Sequence, residues 1–246
     1  MRSATLARLE SLLQTRKLDV TLPSRRAAEP GGPVCSTGEA ALDRALGGGW
    51  RGGELSELAG GPSTGRTSVL IGTLAAAART GPVALVDTVD RFDPASAARA
   101  GLVLDRLLWV RGSALSVELT RAASLDPIVQ RAVRAFDLIV RAGGFAVVAL
   151  DLADVPILGL QRLPPATWLR IARANEGRPS ACLLIAPAPL GRSARGASVI
   201  IQGGTRWGGA SPQARRFLGF RPEVRQGNFE LHASTSSNLG NSRRGQ

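Results

Sequence analysis

Lysine is almost absent from this chain of 246 residues: Lys17 is the only one, so the 31 Lys+Arg positions hold 30 arginines. Histidine is represented by His232 alone, and the two cysteines, Cys35 and Cys182, lie far apart with no metal-ligand spacing. A structural zinc site and a histidine-based catalytic triad therefore both lack material. The two thiols are expected to be buried and reduced. No apolar run approaches the roughly 18 residues of a membrane helix. Arg2, Arg8 and Glu10 interrupt the N-terminus where a signal peptide needs an unbroken apolar stretch. The expected location is the cytoplasm.

Acidic residues are scarce as well, 19 Asp+Glu, which leaves a net charge of +12. A balance of that sign favours nucleic acid or an acidic protein partner over a small acidic substrate. The preference for arginine over lysine also follows from GC-rich coding and carries no functional weight alone. A hydrophobic content of 44% over this length suits one α/β domain with short appendages.

Glu57 to Ser68, ELAGGPSTGRTS, is the stretch with chemical content. Leu55 and Leu58 lead into it, and Val69, Leu70, Ile71 and Leu74 follow, so it stands where a buried strand hands over to a helix. Gly60, Gly65, Arg66 and Thr67 fill the phosphate-loop spacing of Gly, four residues, Gly, Lys, Ser/Thr, with Arg in place of Lys. In such a loop, backbone amides from Gly60 through Gly61, Pro62, Ser63, Thr64, Gly65, Arg66, Thr67 and Ser68 surround a phosphate, proline contributing no N–H. The helix dipole favours the same anion, and the Thr67 hydroxyl is placed to hold magnesium. Arg66 keeps the charge but is longer and planar, so it does not reproduce a compact ammonium on the β/γ-phosphates. A glycine-rich strand-to-helix turn without a ligand stays open as the alternative.

Along the chain, Leu6, Leu9, Leu12 and Leu13 form a stripe on a helix within residues 1–22, and the Pro/Gly-rich segment 23–35 reads as a linker. That helix either docks on a partner or covers its own domain. Ser36 or Thr37 is expected to cap a short helix carrying Leu42 and Leu46, ended by Gly47 to Gly49. Strands are predicted at Leu55 to Ala59, Pro82 to Asp87, Leu107 to Val110, Phe145 to Leu150 and Ala181 to Ala186. Helices are predicted over Thr67 to Arg79, from Asp93-Pro94 to about Ala100, over Ile128 to Arg141 and after Pro164-Pro165. Val129, Val133, Phe136, Leu138 and Ile139 are the burial candidates of the third. The alternation predicts a three-layer α/β domain with a mostly parallel sheet and right-handed crossovers. Ser198 to Gln202, Phe217 to Val224 and Phe229 to Leu231 read as short antiparallel strands. The main domain is expected over 36–232, with a disordered tail over 233–246.

These segments in this order resemble the RecA superfamily over roughly Thr37 to Pro187. STGEAALDRALGGG is similar to its entry motif, AGGPSTGRTS to its Walker A loop, VALVDTVDRFDP to the next strand and turn, and VVALD to its Walker B strand. Within it, GRTS, DRFDPASAARAG, RLLWVR and GGFAVVALDL resemble the ImuA-like accessory proteins of bacterial translesion mutasomes. The resemblance implies a RecA-like P-loop NTPase core with antiparallel C-terminal strands, possible ATP and magnesium, and Thr67 and Asp151 at the metal. It also implies departures. Val89 stands where recombinases carry the water-activating glutamate, and Ala186, Pro187 and Ala188 replace the glutamine that ends the strand leading to the DNA loop.

The implied function is an adaptor in SOS translesion synthesis with a degenerate ATP site, leaning away from enzyme activity. Its implied partners are an inactive Y-family-like protein, the mutagenic polymerase and a recombinase filament, with nucleoid association when DNA is damaged and self-association open. A DNA-dependent ATPase or recombinase and an SOS cell-division inhibitor, which would make cells filament on overexpression, are the alternatives. Arg192 and Arg195, in the segment PLGRSARGAS, and Arg206, Arg215 and Arg216 are the candidates for weak, non-specific DNA contact. Both clusters read equally as solvated basic surface, because no aromatic interleaves Arg192 and Arg195 to stack bases. Asp151 reads alternatively as a carboxylate capping the turn at Leu152, and Asp87 as structural.

Overall fold

The computed structural model describes residues 32–113, 122–208, 211 and 216–225. Runs without a polar position cannot face water on either side, and VALV, VVAL and ACLLIA accordingly lie in central parallel strands, the first two ending in Asp87 and Asp151. The strands are β1 (Val34–Cys35), β2 (Trp50–Arg51), β3 (Leu55–Gly60), β4 (Val83–Asp87), β5 (Leu107–Arg111), β6 (Val147–Asp151), β7 (Ala181–Ala186), β8 (Ser198–Gly208) and β9 (Arg216–Arg225). β1 and β2 pair with each other, and the other seven form one sheet in the order β5-β4-β6-β7-β3-β8-β9. All neighbours in it are parallel except β8 and β9.

Successive residues of each central strand feed opposite layers. Val83, Leu85, Val147, Ala149, Leu183 and Ile185 enter one core, with Leu42, Leu46, Leu70 and Leu74 from helices α1 (Ala40–Leu46) and α2 (Arg66–Ala78). Ala84, Val86, Val148, Leu150, Cys182 and Leu184 enter the other. There they meet α4 (Ala122–Ala142) and α6 (Pro165–Asn175), through Val129, Phe136, Trp168 and Ile171. Helices α3 (Pro94–Arg99) and α5 (Ile157–Leu160) complete the described set. The result is the expected three-layer α/β domain with a RecA-like core.

Several expectations are corrected. Ser198 to Gln202 begins a longer strand than expected: β8 runs to Gly208, pairs antiparallel with β9 as expected, and in addition lies parallel to β3. Its apolar Val199 and Ile201 fit the buried side of β3, which composition near the chain's basic end concealed. Leu138 is 68% exposed, because it faces away from the stripe formed by Val129, Val133, Phe136 and Ile139. The residue capping α1 is Glu39, with no side-chain bond to the helix. Ser36 Oγ instead donates to Asp43 Oδ2 (2.6 Å) and the Thr37 amide to Asp43 Oδ1 (2.7 Å), so the two residues are held by α1 rather than capping it. Gly47 ends that helix at φ +70°, as its glycine run predicts.

Val34 and Cys35, placed in the linker by composition, pair with Arg51 and Trp50 and are part of the folded body. Cys182 is buried and Cys35 half-buried, both as free thiols; burial pushes the Cys35 thiol up to about 11, with Asp43 adding to it. Leu6, Leu9, Leu12 and Leu13, the strand expected at Phe229 to Leu231, and the tail over 233–246 lie outside the described residues.

Candidate nucleotide site

A parallel sheet aligns the carboxyl ends of its strands, and ligands of open α/β folds bind outside those ends. In register, Asp87 pairs with Asp151, Asp151 with Ile185, and Ala186 with Ala59. The sequence-predicted loop, Asp151 and the Val89 segment are thereby brought to one edge.

The loop joins β3 to α2 and is built on backbone strain that few sequences tolerate. Gly65 caps α2 at φ +98°, and Ser63 adopts φ +58°. A Cβ on Gly60 would lie 2.6 Å from the Ile201 carbonyl oxygen and 2.9 Å from Thr64 Oγ1. Thr64 Oγ1 itself donates back to the Gly61 carbonyl (2.9 Å), closing the turn. No side chain caps α2, so its first-turn amides, which have no intrahelical acceptor, are open to an anion. Gly61, Pro62, Ser63, Thr67 and Ser68 are exposed around that opening. The cradle fits a phosphate, and Thr67 stands in the first helical turn where it would hold a magnesium ion.

Arg66 does not line the cradle as a mobile cation. It is 6% exposed, and its Nη1 donates to the Ala153 carbonyl oxygen (3.3 Å) beyond the end of β6. Burial lowers its affinity for the proton, offset by the charges of Asp151 and Asp154. The guanidinium thus ties the loop to the turn after β6.

Asp151 is directed into that same turn. Its Oδ1 accepts from the Ala153 amide (2.9 Å), which is the capping geometry anticipated as the alternative to a metal ligand. Burial raises its carboxyl to about 6; the Ala153 N–H and Arg66 oppose the rise, and Asp87 and Asp154 add to it. Since this value lies above the usual 3.8, folding favours the protonated form. The stability Asp151 contributes is complete below about pH 4 and is lost as the pH rises through about 6. Asp151→Asn keeps the oxygen that Ala153 needs and removes the charge. It is expected to melt at a higher temperature than wild type at pH 8, with the difference shrinking as the pH falls from 6 to 4. Thermal unfolding across that range is the check, and a difference independent of pH would contradict it.

Asp87 is structural, as expected: its carboxylate accepts from the amides of Arg91 (3.0 Å) and Phe92 (2.9 Å) and from Trp109 Nε1 (3.3 Å). Val89 is 3% exposed and joins the core beneath α4. Asp90 turns away at φ +56° into a bidentate pair with Arg111, whose guanidinium also lies 4.7 Å from the Trp109 ring centroid. Among the described residues, neither Val89 nor Asp90 therefore offers a carboxylate at the position of a water-activating base.

Of the basic candidates, Arg192 and Arg195 are engaged near their own loop. Arg192 Nη1 donates to the Gly196 carbonyl oxygen (3.0 Å), and Arg195 lies 3.8 Å from Glu54, so both help fold their own loop. Arg206 and Arg216 belong to β8 and β9, while Arg215 lies outside the described residues. Sequence reasoning missed Glu57, a carboxylate 4% exposed inside β3. Its Oε2 accepts from the amides of Leu190 (2.7 Å) and Gly191 (2.9 Å), and its Oε1 from Ser198 Oγ (2.6 Å). A charge within an otherwise buried strand was the available signal.

A P-loop between a parallel strand and a helix, with an aspartate at the end of the strand two places across, defines the class: an α/β P-loop protein with a RecA-type core. The RecA N-terminal domain family matches residues 26–151, and the chain belongs to that family. It is 36% identical over 157 residues to Protein RecA of Nostoc punctiforme, covering 61% of this chain and 42% of that protein. Protein RecA of Chlorobaculum tepidum is 34% identical over 161 residues (62% and 44%), and that of Methylococcus capsulatus 36% over 120 residues (48% and 30%). The chain spans less than half the length of these curated relatives. Among the described residues, no helix is long and apolar enough to cross a membrane, and no cluster of metal-ligating side chains occurs.

Proposed function

We propose that this protein is an ImuA-like adaptor in DNA-damage-induced translesion synthesis, a RecA-related core whose nucleotide site no longer turns over ATP. The observation that carries the proposal is Arg66. In place of a flexible ammonium over the loop stands a guanidinium buried to 6% exposure and bonded to the Ala153 carbonyl. In this reading the cradle of Gly60 to Ser68 holds ATP, with Thr67 and the Asp151 oxygen that the Ala153 amide does not engage at its magnesium. Its role is then to stabilise a conformation for partners rather than to drive a cycle. Those partners are an inactive Y-family-like protein, the mutagenic polymerase and a recombinase filament, met in the bacterial cytoplasm at the damaged nucleoid. DNA contact through Arg192, Arg195, Arg206, Arg215 and Arg216 is weak and non-specific in this scheme.

A DNA-dependent ATPase or recombinase is the second reading, favoured by membership of the RecA N-terminal domain family. The two separate on partner capture. The leucine stripe Leu6, Leu9, Leu12 and Leu13 supplies i, i+3 and i+4 anchors of the kind that helix-in-groove binding uses. Losing a buried leucine costs about 2–5 kcal/mol, enough to take a micromolar complex below detection. Wild type is expected to recover the Y-family-like protein on co-purification and Leu9→Asp/Leu12→Asp to lose it. Equal recovery by a folded variant would make that helix a cover for its own domain.

A further inference from the structure

Away from the nucleotide loop, a groove of about 400 Å³ opens between α4 and the α5–α6 segment. Val129, Val133 and Leu163 supply its apolar lining, and Arg134, Arg162 and Arg170 its charge. Among the described residues no carboxylate and no aromatic side chain lines it. None of its residues belongs to Gly60–Ser68 or to the turn after β6. Its size is that of a pocket for one or two large apolar side chains.

The two chemistries together restrict the occupant. The Arg134 and Arg170 guanidinium groups at one opening favour carboxylates or phosphates, which their planar forks bind in bidentate fashion. Nucleic acid would leave the Val129, Val133 and Leu163 lining without a use and would find no ring on which to stack a base. The chain's own ends are unsuited by charge. Residues 1–31 carry Arg2, Arg8, Arg16, Lys17, Arg25 and Arg26 against Glu10, Asp19 and Glu29, and the C-terminal end carries Arg243 and Arg244 against Glu230. A second copy brings the same net +12. An acidic segment with an apolar anchor complements both the lining and the rim.

We propose that this groove docks an acidic peptide segment of a protein partner, with a leucine-like anchor against Val129, Val133 and Leu163 and flanking carboxylates on Arg134 and Arg170. The inference goes beyond the nucleotide site and does not depend on the mutasome reading. Its test uses the full chain and a fluorescein-labelled peptide in which glutamates and aspartates flank two leucines, followed by polarisation. Wild type should bind this peptide with an affinity that falls as salt is raised. Binding should weaken at least about tenfold in Arg134→Glu/Arg170→Glu, and similarly when serines replace the peptide's leucines. Melting curves establish that the variant is folded; should charge reversal disturb folding, Arg134→Gln/Arg170→Gln replaces it with the same expectation. Unchanged peptide binding by a folded variant overturns the proposal. So does a wild type that ignores the peptide but binds oligothymidylate through the same arginines, which would make the groove a nucleic-acid contact.

Discussion

Purified protein mixed with ATP, magnesium and single-stranded DNA is expected to release phosphate no faster than a protein-free control. Phosphoryl transfer is accelerated almost wholly by positioning and by charge placed on the transferring group. Here the cation of the loop is buried and its Nη1 is engaged 3.3 Å from the Ala153 carbonyl oxygen. The position of the base is filled by Val89, packed in the core at 3% exposure. Loss of a positioned base alone removes typically about 10²–10⁴-fold. Arg66→Lys should not restore turnover, because Val89 remains, and Val89→Glu would place a carboxylate in an apolar layer without a partner. Binding of ATP is compatible with all of this, since the backbone cradle depends on neither side chain. A phosphate-release assay with and without DNA decides the matter: a DNA-stimulated rate that Asp151→Ala abolishes would refute the adaptor reading.

The parts of the fold that were legible in the sequence are those in which one periodicity has one meaning. ACLLIA became β7 with the boundaries its apolar run marks, and Asp93-Pro94 opened α3 with the Ala95 amide donating to Asp93 Oδ1. The phosphate-loop spacing was equally legible, because glycines at fixed intervals serve a local backbone shape. What could not be read depends on residues distant in sequence. Arg66 and Ala153 are 87 positions apart, so the spacing gives the residue type at the loop and nothing about where its guanidinium points. The parallel pairing of β8 with β3 is illegible for a related reason: β3 lies some 140 residues earlier, and Ser198 meets Glu57 only in the folded sheet. Leu138 shows the limit within a single helix, where an apolar residue beside the buried stripe carries no mark of its exposure.

Glu57→Ala is expected to be among the most destabilising single substitutions in the chain. The carboxylate is 4% exposed and satisfies two backbone amides, Leu190 and Gly191, together with the hydroxyl of Ser198. An alanine leaves all three donors without an acceptor in a place water does not readily reach. A buried group left unsatisfied costs about 1–3 kcal/mol, and more when the lost partner was charged, so a loss on the order of 3–5 kcal/mol follows. For a domain of this size that corresponds to a fall of about 8–15 °C in melting temperature. Glu57→Gln retains one carbonyl oxygen for the Leu190 and Gly191 amides but presents an N–H₂ to Ser198, and should fall between the two.

The consequence reaches the loop that carries Arg192 and Arg195. Its anchors are Glu57 at Leu190 and Gly191, the Ser193 amide donating to the Leu55 carbonyl oxygen (2.9 Å), and Arg195 beside Glu54 (3.8 Å). Removing the first frees the N-terminal half of the loop while the strands on either side stay paired, an opening below the global one. Trypsin cuts after arginine, so cleavage at Arg192 and Arg195 reports that opening directly. Limited digestion at a temperature where both proteins remain folded should cut Glu57→Ala at these two sites well before wild type, with the Gln variant intermediate. Wild-type melting and wild-type digestion in Glu57→Ala would show that the loop holds its shape without the buried carboxylate.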